Sequence, residues 1–184
     1  YQGGDPLTLL YLEEENYTKK LRAINFFNST FKRDYVKLKP QNNKKLKIGY
    51  ISNNFIFHPV SFLISGVIQK HNREEFEIYG YSINSKKDQI TEKISNNFDV
   101  FRDISLKSDD EAANIIRSDN LDFIIDLMGY SAGSRMGILS QKVAPIQISY
   151  LAYPSTTGSN QMDYLLADKY VIPEKEVNNF TEKV

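Results

Sequence analysis

Cysteine is absent, and with it go disulfide frameworks, thiolate zinc sites and cysteine nucleophiles. Tryptophan is absent too, so twelve Tyr and eleven Phe must supply much of the bulk of any core. Histidine is scarce: His58 and His71 are the two imidazoles in 184 residues. Neither sign of charge is in excess, with Lys plus Arg and Asp plus Glu both at 23, so no long-range field draws the chain to nucleic acid or to an anionic membrane. Apolar runs fall far short of the roughly 20 residues that span a bilayer. The polar start from Tyr1 to Pro6 lacks a secretory pattern. The expectation is a cytoplasmic protein without nucleic-acid or membrane partners. No metal-ligand spacing is present, the acidic runs 13–15 and 108–111 reading as solvated helix termini, so neither a metal nor a cofactor is expected. Asn-x-Ser/Thr sequons at Asn16, Asn28 and Asn179 are what an Asn-rich sequence yields by chance.

What is present fits one well-packed domain with a short helical segment ahead of it. Leu9, Leu10, Leu12, Leu21, Ile24, Phe27 and Phe31 space out among charges as one or two short helices over 7–38. Pro40 and the polar run Gln41-Asn42-Asn43-Lys44-Lys45 form a linker, dividing a helical preface, 1–45, from the main domain, 46–184. Beyond it, short apolar runs alternate with amphipathic stretches of helix length. That pattern predicts an α/β fold, a Rossmann-like parallel sheet with helices on both faces. Strands are expected at 46–52, 76–83, 121–128, 146–152 and 162–167, with a weaker one at 100–104. Val60, Leu63, Ile64, Val67 and Ile68 mark one face of a helix that has Pro59 in its first turn. Ser108 and Glu111 have capping-box spacing before Ala112, Ile115 and Ile116. Poorer helices are expected over 87–98 and 135–142.

Ligands of open parallel sheets bind outside the carboxyl ends of the strands, where helix N-termini present free N–H groups. Three loops at that edge have unusual content: Asn53-Asn54-Phe55-Ile56-Phe57-His58-Pro59, Gly129-Tyr130-Ser131-Ala132-Gly133-Ser134-Arg135 and Tyr153-Pro154-Ser155-Thr156-Thr157-Gly158. Together they offer an imidazole, a guanidinium, a phenol and several hydroxyls, a set suited to a sugar, a diphosphate or a peptide hydroxyl. By position alone His58 is equally a helix cap and a functional imidazole. Gly129, Gly133 and Gly158 serve as turn formers on the plainest reading, and Arg135 as a surface residue. His71 ends the predicted helix near Asn72, where a cation suits the helix dipole. The sequence has no G-x-G-x-x-G after the first strand and no G-x-x-x-x-G-K-[ST], which disfavours NAD enzymes and P-loop NTPases; a Ser-His-Asp hydrolase is disfavoured too, although Gly129-Tyr130-Ser131-Ala132-Gly133 has G-x-S-x-G spacing.

At these same loops the chain resembles the O-GlcNAc transferase and Spindly glycosyltransferases. The matching blocks are Lys47-Ile48-Gly49-Tyr50-Ile51-Ser52, Phe55 with His58-Pro59-Val60-Ser61, Phe76-Glu77-Ile78-Tyr79-Gly80-Tyr81, Gly129-Tyr130, Ala144-Pro145-Ile146-Gln147, and Tyr153-Pro154-Ser155-Thr156-Thr157-Gly158 with Met162-Asp163-Tyr164. The resemblance implies the first of two Rossmann-like lobes. It also implies inverting, metal-independent transfer of a sugar from a nucleotide donor, UDP-GlcNAc or GDP-fucose, to a protein or peptide Ser or Thr hydroxyl. The matching His in that family lies beside donor sugar and acceptor, which makes His58 the catalytic candidate, either orienting the hydroxyl or taking its proton. Leu151, Ala152 and Pro154 match positions lining the donor-sugar pocket. Asn54, Pro59, Tyr130, Arg135, Thr156, Thr157 and Gly158 join them as donor- or acceptor-binding candidates from the same loops.

Asn54 stands where the animal O-GlcNAc transferases have an Asp, and a carboxamide cannot serve as a base. Val60 replaces a Thr, Ala152 a Gly, and a further His of the family's N-terminal segment has no counterpart in 1–45. Val60-Ser61 and the Thr156-Thr157-Gly158 turn are closer to the Spindly branch. The resemblance implies two partners outside this sequence, a second lobe carrying most nucleotide contacts and a tetratricopeptide array for protein substrates, so the chain is expected to be one lobe of a larger enzyme. Two other readings stand beside it: a flavodoxin-like or receiver-like binding module, and a lobe of this fold that has kept protein binding and lost catalysis. Asn53 and Asn54 argue against the receiver, which needs acidic residues after its first strand.

Overall fold

The structure, a computed structural model, describes residues 6–11, 15–32, 34, 36–40 and 42–184, without the side chain of Leu9. The expected apolar position Leu12, the acidic Glu13 and Glu14, the linker residue Gln41 and the polar start up to Asp5 lie outside the described residues. The chain opens with two helices, α1 (Pro6–Leu10) and α2 (Asn16–Thr30). Alternation follows: β1 (Leu46–Ser52), α3 (Pro59–Lys70), β2 (Phe76–Ser82), α4 (Gln89–Ser95), β3 (Val100–Asp103), α5 (Asp109–Ser118), β4 (Phe123–Asp126), α6 (Met136–Leu139), β5 (Ile146–Tyr150) and β6 (Tyr164–Leu166). A 3₁₀ helix, Glu174–Asn179, completes the described elements.

All six strands run parallel in the order β3-β2-β1-β4-β5-β6. The chain winds outward from β1 through β2 to β3, then returns to the far side of β1 as β4. That reversal makes the gap between β1 and β4 a topological switch point, where the loops after the two strands part and leave a crevice. Alternate residues of β1 feed two cores. Ile48 and Tyr50 pack with α3 and α4 residues such as Ile64, Ile68 and Ile94. Ile51 packs on the other face with Ala112 and Ile116 of α5 and Phe27 of α2. Helices therefore cover both faces, as the alternation predicts.

Local chemistry accounts for most element ends. Ser108 and Glu111 form the predicted capping box of α5. Asp88 and Thr91 form a second one at α4, which limits the expected 87–98 helix to Gln89–Ser95. β4 is shorter than the apolar run 121–128 because the Asp126 carboxylate captures the N–H groups of Met128 and Gly129 and ends the ladder. The expected 135–142 helix shrinks to Met136–Leu139, the chain turning out at Lys142 with φ 54°.

The expected face of α3 is rotated. Val60, Ser61, Ile64 and Ile68 are buried, while Leu63 and Val67 are 63% and 43% exposed. The reason is Ser61, whose Oγ donates to the Asn54 carbonyl and turns the helix inward on that side. His71 also departs from expectation. Burial and the neighbouring Arg73 hold its pKa below the ordinary histidine value, and its Nε2 lies 2.8 Å from Tyr50 Oη, so it is a neutral packing residue. The cations at the C-terminus of α3 are Lys70, in its last turn, and Arg73, whose Nη2 donates to the Ile68 carbonyl at 3.1 Å.

The helical preface shares the main core. Phe27 of α2 is 2% exposed and packs in one cluster with Met136, Tyr130 and Tyr153, a burial that contributes about 2 kcal/mol. Residues 32–45 divide two sequence patterns without dividing two cores.

Candidate functional site

The switch point is built from the loops after β1 and β4, and Met128 joins them. Its sulfur lies 3.3 Å from the Asn53 backbone N and 3.5 Å from Ser52 Oγ. Further bonds fix the β1 loop. Asn54 N donates to Ser52 Oγ at 2.9 Å, Asn84 Nδ2 to the Asn53 carbonyl at 2.8 Å, and Phe57 N to Asp88 Oδ2 at 2.6 Å. The amide of Phe57 leads the causes that hold the Asp88 carboxyl below its usual pKa, so the charged form stays in place as cap of α4 and anchor of the loop. Sequence reading passed over Asp88, although Asp-x-x-Thr ahead of Ile90 is an N-cap signal.

Within this frame His58 is the N-cap of α3. Val60 N donates to His58 Nδ1 at 3.2 Å, and Pro59 occupies the first turn. Asn54, four residues earlier, is 8% exposed. It lies in the loop that opens the crevice.

The β4 loop hangs on Asp126, a fully buried carboxyl at the end of a central strand. Its oxygens accept from Met128 N at 3.1 Å and Gly129 N at 2.8 Å. Burial outweighs those two bonds and pushes the Asp126 pKa up to about 7. The folded value lies above that of an unfolded Asp, near 3.9, so the fold favours the neutral form. The stability contributed is full below about pH 4 and is lost as pH rises through about 7. Asp126→Asn removes this dependence. Its stability relative to wild type should rise between pH 4 and pH 8 by at least about 1.4 kcal/mol, the equivalent of one pKa unit. Urea unfolding at the two pH values checks it, and a constant difference would mean that Asp126 is charged throughout.

After β5 the backbone is strained. Leu151 has φ 81°, and Ala152 N donates to the Tyr150 carbonyl at 3.2 Å, which closes a γ-turn around a non-glycine residue. This turn ends β5 two residues before the apolar pattern does. A branched side chain in the left-handed region costs about 1–3 kcal/mol, and such strain gathers at ligand sites. Leu151 and Pro154 line a cavity of about 210 Å³ with Tyr150, Leu166 and Ile172. Pro154 also borders a groove of about 510 Å³ walled by Leu7, Lys19, Pro173 and Glu176.

The loops thus bring His58, Pro59, Asn54, Leu151, Ala152 and Pro154 to one edge of the sheet. Other candidates have structural work instead. The Arg135 guanidinium is taken up by Asp109, at 2.7 and 2.9 Å, and by the carbonyls of Ile104 and Lys107. Tyr130 donates to the Thr157 carbonyl at 2.8 Å and packs edge-on to Tyr153, with burial raising its pKa. Thr156 and Thr157 are buried on the Glu182 carboxylate, and Gly158 lies against the backbone of α2. Gln147 was visible in sequence only as part of a matching block. It is fully buried, accepts from Val143 N, and donates to the carbonyls of Leu139 and Gln161, which sets β5 in place. Among the described residues no group of three or more His, Asp or Glu side chains could hold a metal ion, and no helix is long and apolar enough to cross a membrane.

A parallel sheet wound in two directions from β1, with a helix-capping imidazole at the switch point and a strained turn after β5, defines a Rossmann-like α/β lobe. The profile of glycosyl transferase family 41 matches residues 20–184, and the chain belongs to that family. It is 37% identical over 142 residues to SEC of Arabidopsis thaliana, a probable UDP-N-acetylglucosamine–peptide N-acetylglucosaminyltransferase, covering 77% of this chain and 14% of the relative. A UDP-N-acetylglucosamine–peptide N-acetylglucosaminyltransferase of Caenorhabditis elegans is 35% identical over 146 residues, covering 78% of this chain and 13% of its own length. A probable enzyme of the same description, SPINDLY of Petunia hybrida, is 27% identical over 97% of this chain and 20% of its own. Among solved structures, an O-GlcNAc transferase variant of Thermobaculum terrenum superposes with a TM-score of 0.87 at 28% identity, over 92% of this chain and 33% of that one. The chain therefore spans about an eighth to a fifth of the length of these curated relatives.

Proposed function

We propose that this chain is the first lobe of a nucleotide-sugar-dependent protein O-glycosyltransferase, one that inverts the sugar configuration and uses no metal ion. The observation that carries this reading is the placement of His58 and Asn54 at the β1–β4 switch point. In such folds that crevice is where a ligand meets the free N–H groups of a helix N-terminus. The relatives named above are described as acting on peptides with UDP-N-acetylglucosamine, which supports a nucleotide sugar as donor and a protein hydroxyl as acceptor. On this reading Leu151, Ala152 and Pro154 face the sugar, His58 and Asn54 face the reacting oxygens, and a second lobe supplies the cations that neutralise the departing diphosphate.

Calorimetric titration of the full-length protein with UDP-GlcNAc, UDP-glucose and GDP-fucose, with this chain as control, tests the proposal. Selective binding of one donor by the full-length protein, and weak or no binding by this chain, is expected. Absence of binding by both would overturn it and favour a protein-binding scaffold.

A further inference from the structure

His58 is engaged through one ring nitrogen, and which one decides its chemistry. Val60 N–H donates to Nδ1 at 3.2 Å, so the Nδ1 lone pair is already used. A neutral imidazole carries a single proton, and with Nδ1 accepting, that proton sits on Nε2. We propose that His58 works in the crevice as a hydrogen-bond donor through Nε2–H, holding an oxygen of the bound ligand, and does not take the proton of the acceptor hydroxyl. The role in transfer rests on the glycosyltransferase reading above, whereas the tautomer does not.

Several features of the loop hold this state. His58 lies in extended backbone, φ −153° and ψ 146°, directly ahead of Pro59, whose ring fixes the first turn of α3. Ser61 Oγ donates back to the Asn54 carbonyl and locks the same turn from inside. To receive a proton at Nε2, His58 would first have to carry one on Nδ1. Two N–H donors would then face each other across the cap, and the α3 terminus would lose its acceptor. Imidazolium, the product of such a transfer, would sit at the positive end of a twelve-residue helix.

No nearby group of this loop substitutes as a base. Asn54 offers a carboxamide with nothing to ionise. The Asp88 carboxylate is committed to Phe57 N, Ile90 N and Thr91 N. The β1 loop thus presents the Nε2–H donor and no ionisable base to the crevice, which fits a ligand oxygen with free lone pairs: a hydroxyl oxygen of the acceptor, or an oxygen of the donor's sugar or phosphate.

Long-range ¹H–¹⁵N NMR of the imidazoles reads the tautomer directly. With two histidines in the chain, His71→Gln completes the assignment. A pyrrole-type Nε2 and a pyridine-type Nδ1 are expected for the neutral His58 ring, and the reverse pattern would overturn the proposal. Adding UDP-GlcNAc alone to the full-length protein, and then an acceptor peptide, identifies the bonded oxygen by which addition moves the Nε2–H resonance. A resonance that neither addition moves counts against the proposal.

Two variants separate donor from base. His58→Gln places an amide N–H₂ near the Nε2 position and loses the cap. His58→Asn keeps an oxygen for Val60 N and loses the distal donor. Neither can take a proton. If His58 is a donor, Gln should hold turnover within about 10-fold of wild type and Asn should lose about 100-fold, the range for removing one transition-state hydrogen bond. Equal losses in both would mark a base. The melting temperature should order oppositely, with Asn near wild type and Gln lower. The NMR arm needs no turnover, so failure of the glycosyltransferase reading and failure of this inference are told apart.

Discussion

Gly158→Ala is expected to destabilise the protein by about 3–5 kcal/mol, through two independent costs. The first is conformational: φ at this position is 67°, in the left-handed region that side chains avoid. The second is steric, and it is larger. A Cβ here would lie 2.2 Å from the Ala23 carbonyl carbon, 2.3 Å from Ile24 N and 2.5 Å from the Ala23 oxygen. Those atoms are backbone in the middle of α2 and cannot swing aside, so the helix must lift from the turn or the turn must unwind. Lifting α2 would take Phe27 out of the core it shares with Tyr130 and Tyr153. Urea unfolding checks the effect, and a loss below about 1 kcal/mol would mean that α2 rides loosely on the lobe.

The same position shows why sequence gave only part of the site. A Gly after two Thr is legible as a turn former, yet its reason lies in residues 23 and 24, more than a hundred positions away. Strands and helices were legible because their signals are local. The alternation of apolar runs marked every strand, the Ser108–Glu111 spacing marked α5, and both capping boxes can be found by reading four residues. Ends and phases were less so. The inward rotation of α3 depends on one hydrogen bond from Ser61, and the early end of β5 on the backbone of Leu151, which composition does not encode.

For the candidate site the division is similar. His58 and Asn54 were visible as chemistry-bearing residues after the first strand, and the fold places them at its switch point. Arg135, Tyr130 and the Thr pair were visible too, as polar residues in loops of the same edge. Their partners, Asp109, the Thr157 carbonyl and Glu182, come from other segments, so nothing local distinguished a side chain that binds a ligand from one that holds a loop. The outcome has a physical logic: a site held open toward a ligand needs a floor whose own polar groups are satisfied internally.

Glu182→Ala is expected to cost about 3–5 kcal/mol for that reason. The Glu182 carboxylate is 3% exposed and collects four donors. Thr157 N lies at 2.8 Å, Thr156 Oγ1 at 2.6 Å and Thr181 Oγ1 at 3.1 Å, and Thr157 Oγ1 completes the set. Truncation leaves a buried amide and buried hydroxyls facing an apolar void, each unsatisfied group costing about 1–3 kcal/mol before any relaxation. Glu182→Gln has nearly the same volume and keeps one acceptor oxygen while turning an amide N–H₂ toward the other donors. It should lose roughly half as much as Ala. The order wild type, Gln, Ala in urea midpoint therefore separates hydrogen bonding from packing, because volume alone would leave Gln at the wild-type value. The turn that Glu182 organises leads directly from Tyr153 and Pro154, so in the full-length protein the Ala variant should also weaken donor binding, although no atom of Glu182 is expected to touch the ligand. An Ala variant as stable as wild type would instead mean that the Thr156–Gly158 turn is held by Tyr130 and α2 alone.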